Sequence, residues 1–315
     1  MKTLYKYSDL LPLNYFDKPS IKISATEFLN DPFEYSTNEN ISLSIKNHLK
    51  NGGLSDMATI LNKTFDVSIE MMLAFNGIIS LSETPRNSLM WAHYAKQHNG
   101  ICIGYKKDFL KHIEKTEDFH LVINTPQKVN YDNLRFETDF QYSELNTIEI
   151  DATTQHLLKK SDEWIYEKEH RCIIPYIKAN RLIILSEHPK IDHIHASLDN
   201  GENPNFKIGA DFNNVINGAI RHEYITKTDI NNQYIINSNE INSAMLSVLQ
   251  ASKDCLFLID IDPKSIESIY FGCKVSMDTI KPYFEKLHEK YKLYQFKISK
   301  KRFELIPSPL KADMF

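Results

Sequence analysis

Glycine is scarce in this chain: nine residues in 315, with neither a GxGxxG nor a GxxxxGK[ST] run. A glycine-rich loop that cradles phosphate on backbone N–H groups is therefore excluded. The four cysteines (Cys102, Cys172, Cys255 and Cys273) are far apart, and no CxxC pair occurs. That spacing excludes a zinc knuckle and a thioredoxin-type dithiol. No apolar stretch reaches 18 residues, so no membrane-spanning helix is expected. The start, Met-Lys-Thr-Leu-Tyr-Lys-Tyr-Ser, lacks the apolar run of a signal peptide. Unpaired thiols without an export signal point to a reducing, cytoplasmic setting. Positive charge is not in excess either. A net charge of −4 gives no electrostatic case for coating nucleic acid or lying on an anionic membrane, although a local basic groove stays open.

What is present reads as an ordinary globular chain, with 42% apolar and 25% charged residues. Residues 4–7 and 21–24 read as short strands ahead of a turn at Asn30-Asp31-Pro32. The apolar spacing predicts a helix over 55–76, with Met57, Ile60, Leu61, Phe65, Met72 and Phe75 on one face. A buried strand follows at 77–82, then a short helix over 88–98 ended by Gly100, and a strand at 101–105. A helix over 151–161 leads to the octapeptide Trp164-Ile165-Tyr166-Glu167-Lys168-Glu169-His170-Arg171. Residues 186–240 are poor in period and read as a variable insert, with 197–205 an exposed loop. Order resumes with a helix over 239–251, strands at 255–261 and 268–273, a helix over 276–292 capped by Ser276, and strands at 293–298 and 303–306. The expected fold is α+β, a mixed or antiparallel sheet with flanking helices. One domain over 1–315 is expected, with its insert around 186–240.

Four segments carry candidate chemistry. In Leu4-Tyr5-Lys6-Tyr7-Ser8, Lys6 and Ser8 share one strand face and suit a phosphate or ribose, or simply a polar outer face. In Asn30-Asp31-Pro32-Phe33-Glu34, a turn anchored by buried Phe28 and Phe33 is expected, with Asp31 and Glu34 near a cleft. Ser80-Leu81-Ser82, then Met90-Trp91-Ala92-His93-Tyr94, offers aromatics able to wall a pocket or to pack a core. In the octapeptide, Glu167, Glu169 and Arg171 share a face if the segment is extended. His188, Asp192, His193 and His195 lack a metal-binding spacing, and no metal site is expected there.

The order of these motifs, with Met-Trp-Ala-His-Tyr-Ala and Trp-x-x-Glu-x-Glu-x-Arg among them, resembles the bacterial domain-of-unknown-function family 2971. That family implies no activity. The chain is also similar to ADP-ribosyltransferases, which present a His or Arg on a first strand, a Ser/Thr or Tyr on a second, and a Glu opening a later one. Lys6 stands here at the first position, Ser80-Leu81-Ser82 at the second and Glu167-Lys168-Glu169 at the third. This resemblance implies NAD as substrate and a macromolecular acceptor, protein or nucleic acid. Glu169 would stabilise an oxocarbenium-like cation, and Glu167 would orient or deprotonate the acceptor. Lys6, Ser8, Ser82, Trp91, Tyr94 and Arg171 would hold the dinucleotide. Two alternatives remain. One is an Mg²⁺-dependent nuclease with Asp31, Glu34, Glu167 and Glu169 as ligands; the other is a non-enzymatic nucleotide-binding sensor or adaptor.

Overall fold

The computed structural model describes residues 3–35, 38–114, 121–186, 189, 212–237, 241 and 243–315. Its strands are β1 (Thr3–Ser8), β2 (Ser20–Ile23), β3 (Asn76–Ser82), β4 (Ile101–Lys106), β5 (Ile123–Lys128), β6 (Asn130–Tyr131) and β7 (Lys159–Lys160). They continue with β8 (Glu169–Pro175), β9 (Arg181–Ile184), β10 (Ile225–Lys227), β11 (Gln233–Ile236), β12 (Cys255–Asp260), β13 (Ile266–Phe271), β14 (Lys292–Ile298) and β15 (Leu305–Pro309). The helices are α1 (Glu39–Asn51), α2 (Ala58–Phe75), α3 (Ser88–Tyr94), α4 (Ile148–Leu157), α5 (Phe212–Arg221), α6 (Ser243–Gln250) and α7 (Met277–Leu287). The fold is α+β. An eight-stranded sheet runs β15-β14-β13-β4-β1-β3-β8-β5, and a five-stranded one β10-β11-β9-β12-β2. In the larger sheet the β13–β14 pair is parallel, and α7 makes the crossover that parallel neighbours require.

Both faces of the central strands are covered, which explains their continuous apolar runs. Ile79 of β3 and Cys172 and Ile174 of β8 join the core shared with the five-stranded sheet. Ile78 and Ile173, on the opposite face, pack with Ile41, Ile45, Leu49, Met72, Leu73 and Ala152 of α1, α2 and α4. Each such side chain, fully buried, contributes roughly 1.5–3 kcal/mol. The two sheets touch where Ser24 and Ile78 exchange backbone hydrogen bonds of 2.9 and 2.8 Å. Only glycine fits beside that bridge: a Cβ on Gly77 would stand 2.5 Å from Ile23 Cγ2 and 2.8 Å from the Ser24 carbonyl.

Several expectations need correction. The buried face of α2 is Ala58, Asn62, Ile69, Met72, Leu73 and Ala74, while Met57 and Ile60 face solvent. Leu61, Phe65 and Met72 of the expected face do pack into the core shared with α1 and α4, so the stripe is displaced only in part. Helix α1 itself has no counterpart among the expected elements; Asn38 caps it by accepting from Asn40 N. The helix expected over 88–98 stops at Tyr94, and Lys96, Gln97 and His98 all take left-handed φ angles before Gly100. The helix expected over 151–161 ends at Leu157, giving way to β7. Phe33 is exposed, with the Arg135 guanidinium 5.6 Å from its ring centroid, so Phe28 and Leu29 anchor the turn in its place. Within the expected insert, α5, β10 and β11 are regular elements. The expected loop at 197–205 and the group His188, Asp192, His193 and His195 lie outside the described residues.

Candidate functional site

The edge of β3 forks. At one end Ser82 pairs with Tyr5 of β1, and at the other Ile78 is bridged by Ser24 beyond β2. Between these contacts the strands part, and the Ser80 carbonyl is met instead by the Lys6 ammonium at 3.0 Å. A cleft of about 190 Å³ opens at this fork. Lys6, Ser24, Phe28, Asn30, Glu34, Ser80, Ser82, Met90, Tyr94, Lys160, Glu167, Glu169 and Arg171 are among its lining residues.

The register explains the polarity of its floor. Ile78, Ser80 and Ser82 of β3 lie opposite Ile173, Arg171 and Glu169 of β8, all on one sheet face. That face is apolar beneath the helices and turns polar where the helices end. The octapeptide is not extended throughout. Residues Asp162–Glu167 form a 3₁₀ turn, and Lys168, at φ +48°, swings the chain into β8 at Glu169. Glu167 and Glu169 therefore reach the cleft from different elements and do not alternate along one strand.

On the floor, Arg171 donates from Nε to Glu169 Oε1 at 2.8 Å and from Nη2 to Oε2 at 2.9 Å. Its Nη2 also pairs with Glu34 Oε1, and its Nη1 donates to the Leu157 carbonyl at 2.7 Å. The Lys160 ammonium joins the two acids of the octapeptide, at 2.7 Å from Glu167 Oε2 and 3.3 Å from Glu169 Oε2, and lies 4.8 Å from the Trp164 ring centroid. All five charged residues are buried. Burial works to raise the Glu169 carboxyl, but Arg171 and Lys160 override it and pull the group down to about 2. Burial likewise pushes the Glu34 carboxyl up, against the pull of Arg171 and Lys160.

The wall is less committed. Tyr94 donates its hydroxyl to Glu167 Oε1 and accepts from Asn30 Nδ2 at 2.8 Å. Burial, then the neighbouring Glu167, holds the Tyr94 hydroxyl above its usual range. Burial and the Lys22 cation lower the Lys6 ammonium to about 8, against the attraction of Glu169 and Glu167. One relay thus joins the three motif segments: Asn30, Tyr94, Glu167, Lys160, Glu169, Arg171 and Glu34.

Of the residues expected to form the site, Lys6, Ser82, Tyr94, Glu167, Glu169 and Arg171 line the cleft. Ser8 and Trp91 do not line it. Trp91 is fully buried, edge-on to Tyr7 and Phe296, and its indole N–H donates to the Pro85 carbonyl at 2.7 Å. It is a core residue and presents no face to a ligand. Ser8 sits at the end of β1 paired with Ile101, past the fork. Arg171 has no free fork for a diphosphate, since carboxylates and a carbonyl occupy its Nε, Nη1 and Nη2. The sequence reading did not single out Lys160 or Asn30 as site residues. Lys160, the second of a Lys-Lys pair that follows Leu157-Leu158 and precedes Ser161-Asp162, carried only a weak signal.

No group of three or more His, Cys, Asp or Glu side chains among the described residues is arranged to hold a metal. Glu34, Glu167 and Glu169 are taken up by Lys160 and Arg171. No described helix is long and apolar enough to cross a membrane.

Residues 90–172 match the model of the family described as "Protein of unknown function (DUF2971)", in line with the resemblance carried by the motifs. This span holds Tyr94, Lys160, Glu167, Glu169 and Arg171; Lys6, Asn30, Glu34 and Ser82 lie before it. No curated protein and no solved structure matches the chain.

Proposed function

We propose that this DUF2971-matching chain binds NAD at the forked cleft and cleaves its nicotinamide–ribose bond, in the manner of an ADP-ribosyltransferase. The C1′–N bond breaks with its electrons leaving on nicotinamide. A lone pair from a macromolecular acceptor forms the new bond to C1′, and the acceptor's proton passes to a carboxylate. The observation that carries this reading is the register across three neighbouring strands. Tyr5 lies opposite Ser82, Ser82 lies opposite Glu169, and the Lys6 ammonium spans the gap to Ser80.

In this reading the two acids exchange the roles first given to them, which their hydrogen bonding supports. Glu169 has both oxygens taken by cations, so it acts by fixing Lys160 and Arg171. Glu167 is held by Tyr94 on one oxygen and Lys160 on the other, a preorganised carboxylate at the wall with lone pairs to spare. It is the group facing the developing positive charge. Lys6 meets the diphosphate as a point charge. At about 190 Å³ the cleft is smaller than the ~300–1,000 Å³ usual for drug-sized ligands, so it seats the nicotinamide riboside and leaves the adenylate on the rim.

Nicotinamide release from NAD by the wild-type chain and by Glu167→Gln tests the proposal. The variant should keep its stabilisation by NAD while losing roughly 10²–10³ in rate, the usual cost of deleting a preorganised electrostatic contact. Its melting temperature should fall, because buried Lys160 loses one of its carboxylate partners. A second reading, a nucleotide sensor without turnover, is favoured by the neutralised floor. It predicts stabilisation by NAD with no nicotinamide released by either protein. Absence of both stabilisation and release ends the NAD assignment.

A further inference from the structure

Far from the fork in sequence, the β14–β15 hairpin ends in a tip unlike the rest of this acidic chain. Lys297 lies opposite Ile306 and Ile298 opposite Leu305, and residues 299–304 close the turn. The tip is fastened by Ser299. Its N–H donates to the Glu304 carbonyl at 3.0 Å, and its hydroxyl accepts from the N–H groups of Lys301 and Arg302 at 3.2 Å each. The base is anchored as well, since Phe296 and Leu305 belong to the core cluster of Trp91 and Tyr7.

On this fixed support, Phe303 projects wholly into solvent, and Ile298 and Ile306 are 72% and 46% exposed. Lys297, Lys300, Lys301 and Arg302 surround them, all exposed and without an ion-pair partner among the described residues, and Glu304 is the lone acid. An aromatic and two branched apolar side chains exposed together at one tip are the kind of surface that marks an interaction site. The ring of cations on a chain of net charge −4 specifies an anionic partner. A nucleic-acid strand offers Phe303 a base to stack on but leaves Ile298 and Ile306 uncovered. The register sets Ile298 and Ile306 on opposite faces of the hairpin. Both are therefore covered with Phe303 only when the tip enters end-on, as a bilayer interface allows while its anionic headgroups meet the cations.

We propose that this hairpin tip docks reversibly on an anionic bilayer surface, with Phe303 seated among the headgroups and Lys300, Lys301 and Arg302 facing their charges. The dock is peripheral and uses none of the residues that line the cleft.

Co-sedimentation of the full chain with phosphatidylcholine vesicles, with and without phosphatidylserine, is the test. Binding is expected only with phosphatidylserine, and it should weaken as salt rises. The double variant Lys300→Gln, Lys301→Gln should bind roughly 25-fold more weakly, about fivefold for each charge removed. Phe303→Ala should lose about tenfold, as part of an aromatic burial is forfeited. Phe303→Trp should show a blue-shifted emission on phosphatidylserine vesicles. These positions are exposed, so circular dichroism should confirm unaltered folding. Equal binding to neutral vesicles, no binding, or binding insensitive to these variants would overturn the proposal. So would a single-stranded oligonucleotide that binds through Phe303 and the lysines while vesicles do not.

Discussion

The floor and the wall of the cleft use the same residue types to opposite ends. On the floor, Arg171 spends its Nε, Nη1 and Nη2 on Glu169, Glu34 and the Leu157 carbonyl, and Glu169 has both oxygens filled in return. On the wall, the Lys6 ammonium holds one backbone carbonyl, and each oxygen of Glu167 has a single partner. Arg171 and Glu169 are saturated and fix geometry, although Glu34 Oε2 on the same floor is buried without a partner. The wall's open capacity is left able to meet a ligand. Charged residues in a cleft are therefore not equivalent candidates for chemistry. Their remaining hydrogen-bonding capacity separates scaffold from site.

The sharpest way to break this comparison is Arg171→Leu. It strands Glu169 and Glu34 in a buried setting with only Lys160 to answer them. Removing one member of such a buried set costs roughly 3–5 kcal/mol. Urea unfolding should show a loss of that size, whereas a loss under about 1 kcal/mol would mean that water reaches the floor and screens it.

Glu169→Gln comes next. Gln keeps acceptor capacity but leaves Arg171 with Glu34 as its one remaining carboxylate partner, so a loss of about 3 kcal/mol is expected, the lower end of the same range. Wild-type acid stability carries the same signature. Glu169 is depressed from 4.5 to about 2, so the folded state holds its proton less tightly than the unfolded chain. Its contribution is present above about pH 4.5 and is lost as pH falls toward 2. The variant should therefore show a shallower fall in stability across that window than wild type. Parallel curves would remove Glu169 from the acid response.

Lys6 on the wall should respond in ligand binding and not in melting. Lys6, lowered to about 8, is a cation at neutral pH and loses its charge as pH rises through that value. Affinity for NAD should fall across pH 7–9.5, roughly tenfold if the ammonium makes one charge-assisted contact with the diphosphate. Lys6→Met should bind weakly at every pH and flatten that dependence. Calorimetric titrations at several pH values decide it: a wild-type affinity that does not change with pH takes Lys6 off the anion.

Much of this was legible in the sequence. Period-2 and period-3.6 patterns located the strands at 4–7, 77–82, 101–105 and 293–298, and the C-terminal helix with its Ser276 cap. Motif order pointed to the segments that meet at the cleft. What could not be read was directional. Whether Trp91 or Tyr94 faces the cleft depends on where α3 seats against β1 and β14, since the two stand three residues apart on one short helix. The left-handed Lys168 hides in an alternation of charges that looks extended. Lys160, the cation tying the network together, is brought in by the β6–β7 pairing, a contact that leaves no periodic trace.

The smallest effect is expected at the turn that feeds Asn30 into the wall. Asp31 is buried, and its Oδ1 accepts from Phe33 N at 3.0 Å in the turn that the Asn-Asp-Pro sequence announces. Loss of such a side-chain-to-backbone bond usually costs about 0.5–2 kcal/mol. Here an opposing contribution enters, because Oδ2 is buried without a hydrogen-bond partner, and Asp31→Ala removes that unsatisfied oxygen too. The two effects partly cancel, so Asp31→Ala should destabilise by about 0.5 kcal/mol, several-fold less than Arg171→Leu. Nicotinamide release should change little, provided that Asn30 still reaches Tyr94. A large loss of rate with unchanged melting would show that the turn does more than hold Asn30 in place, and would move Asp31 from scaffold to site.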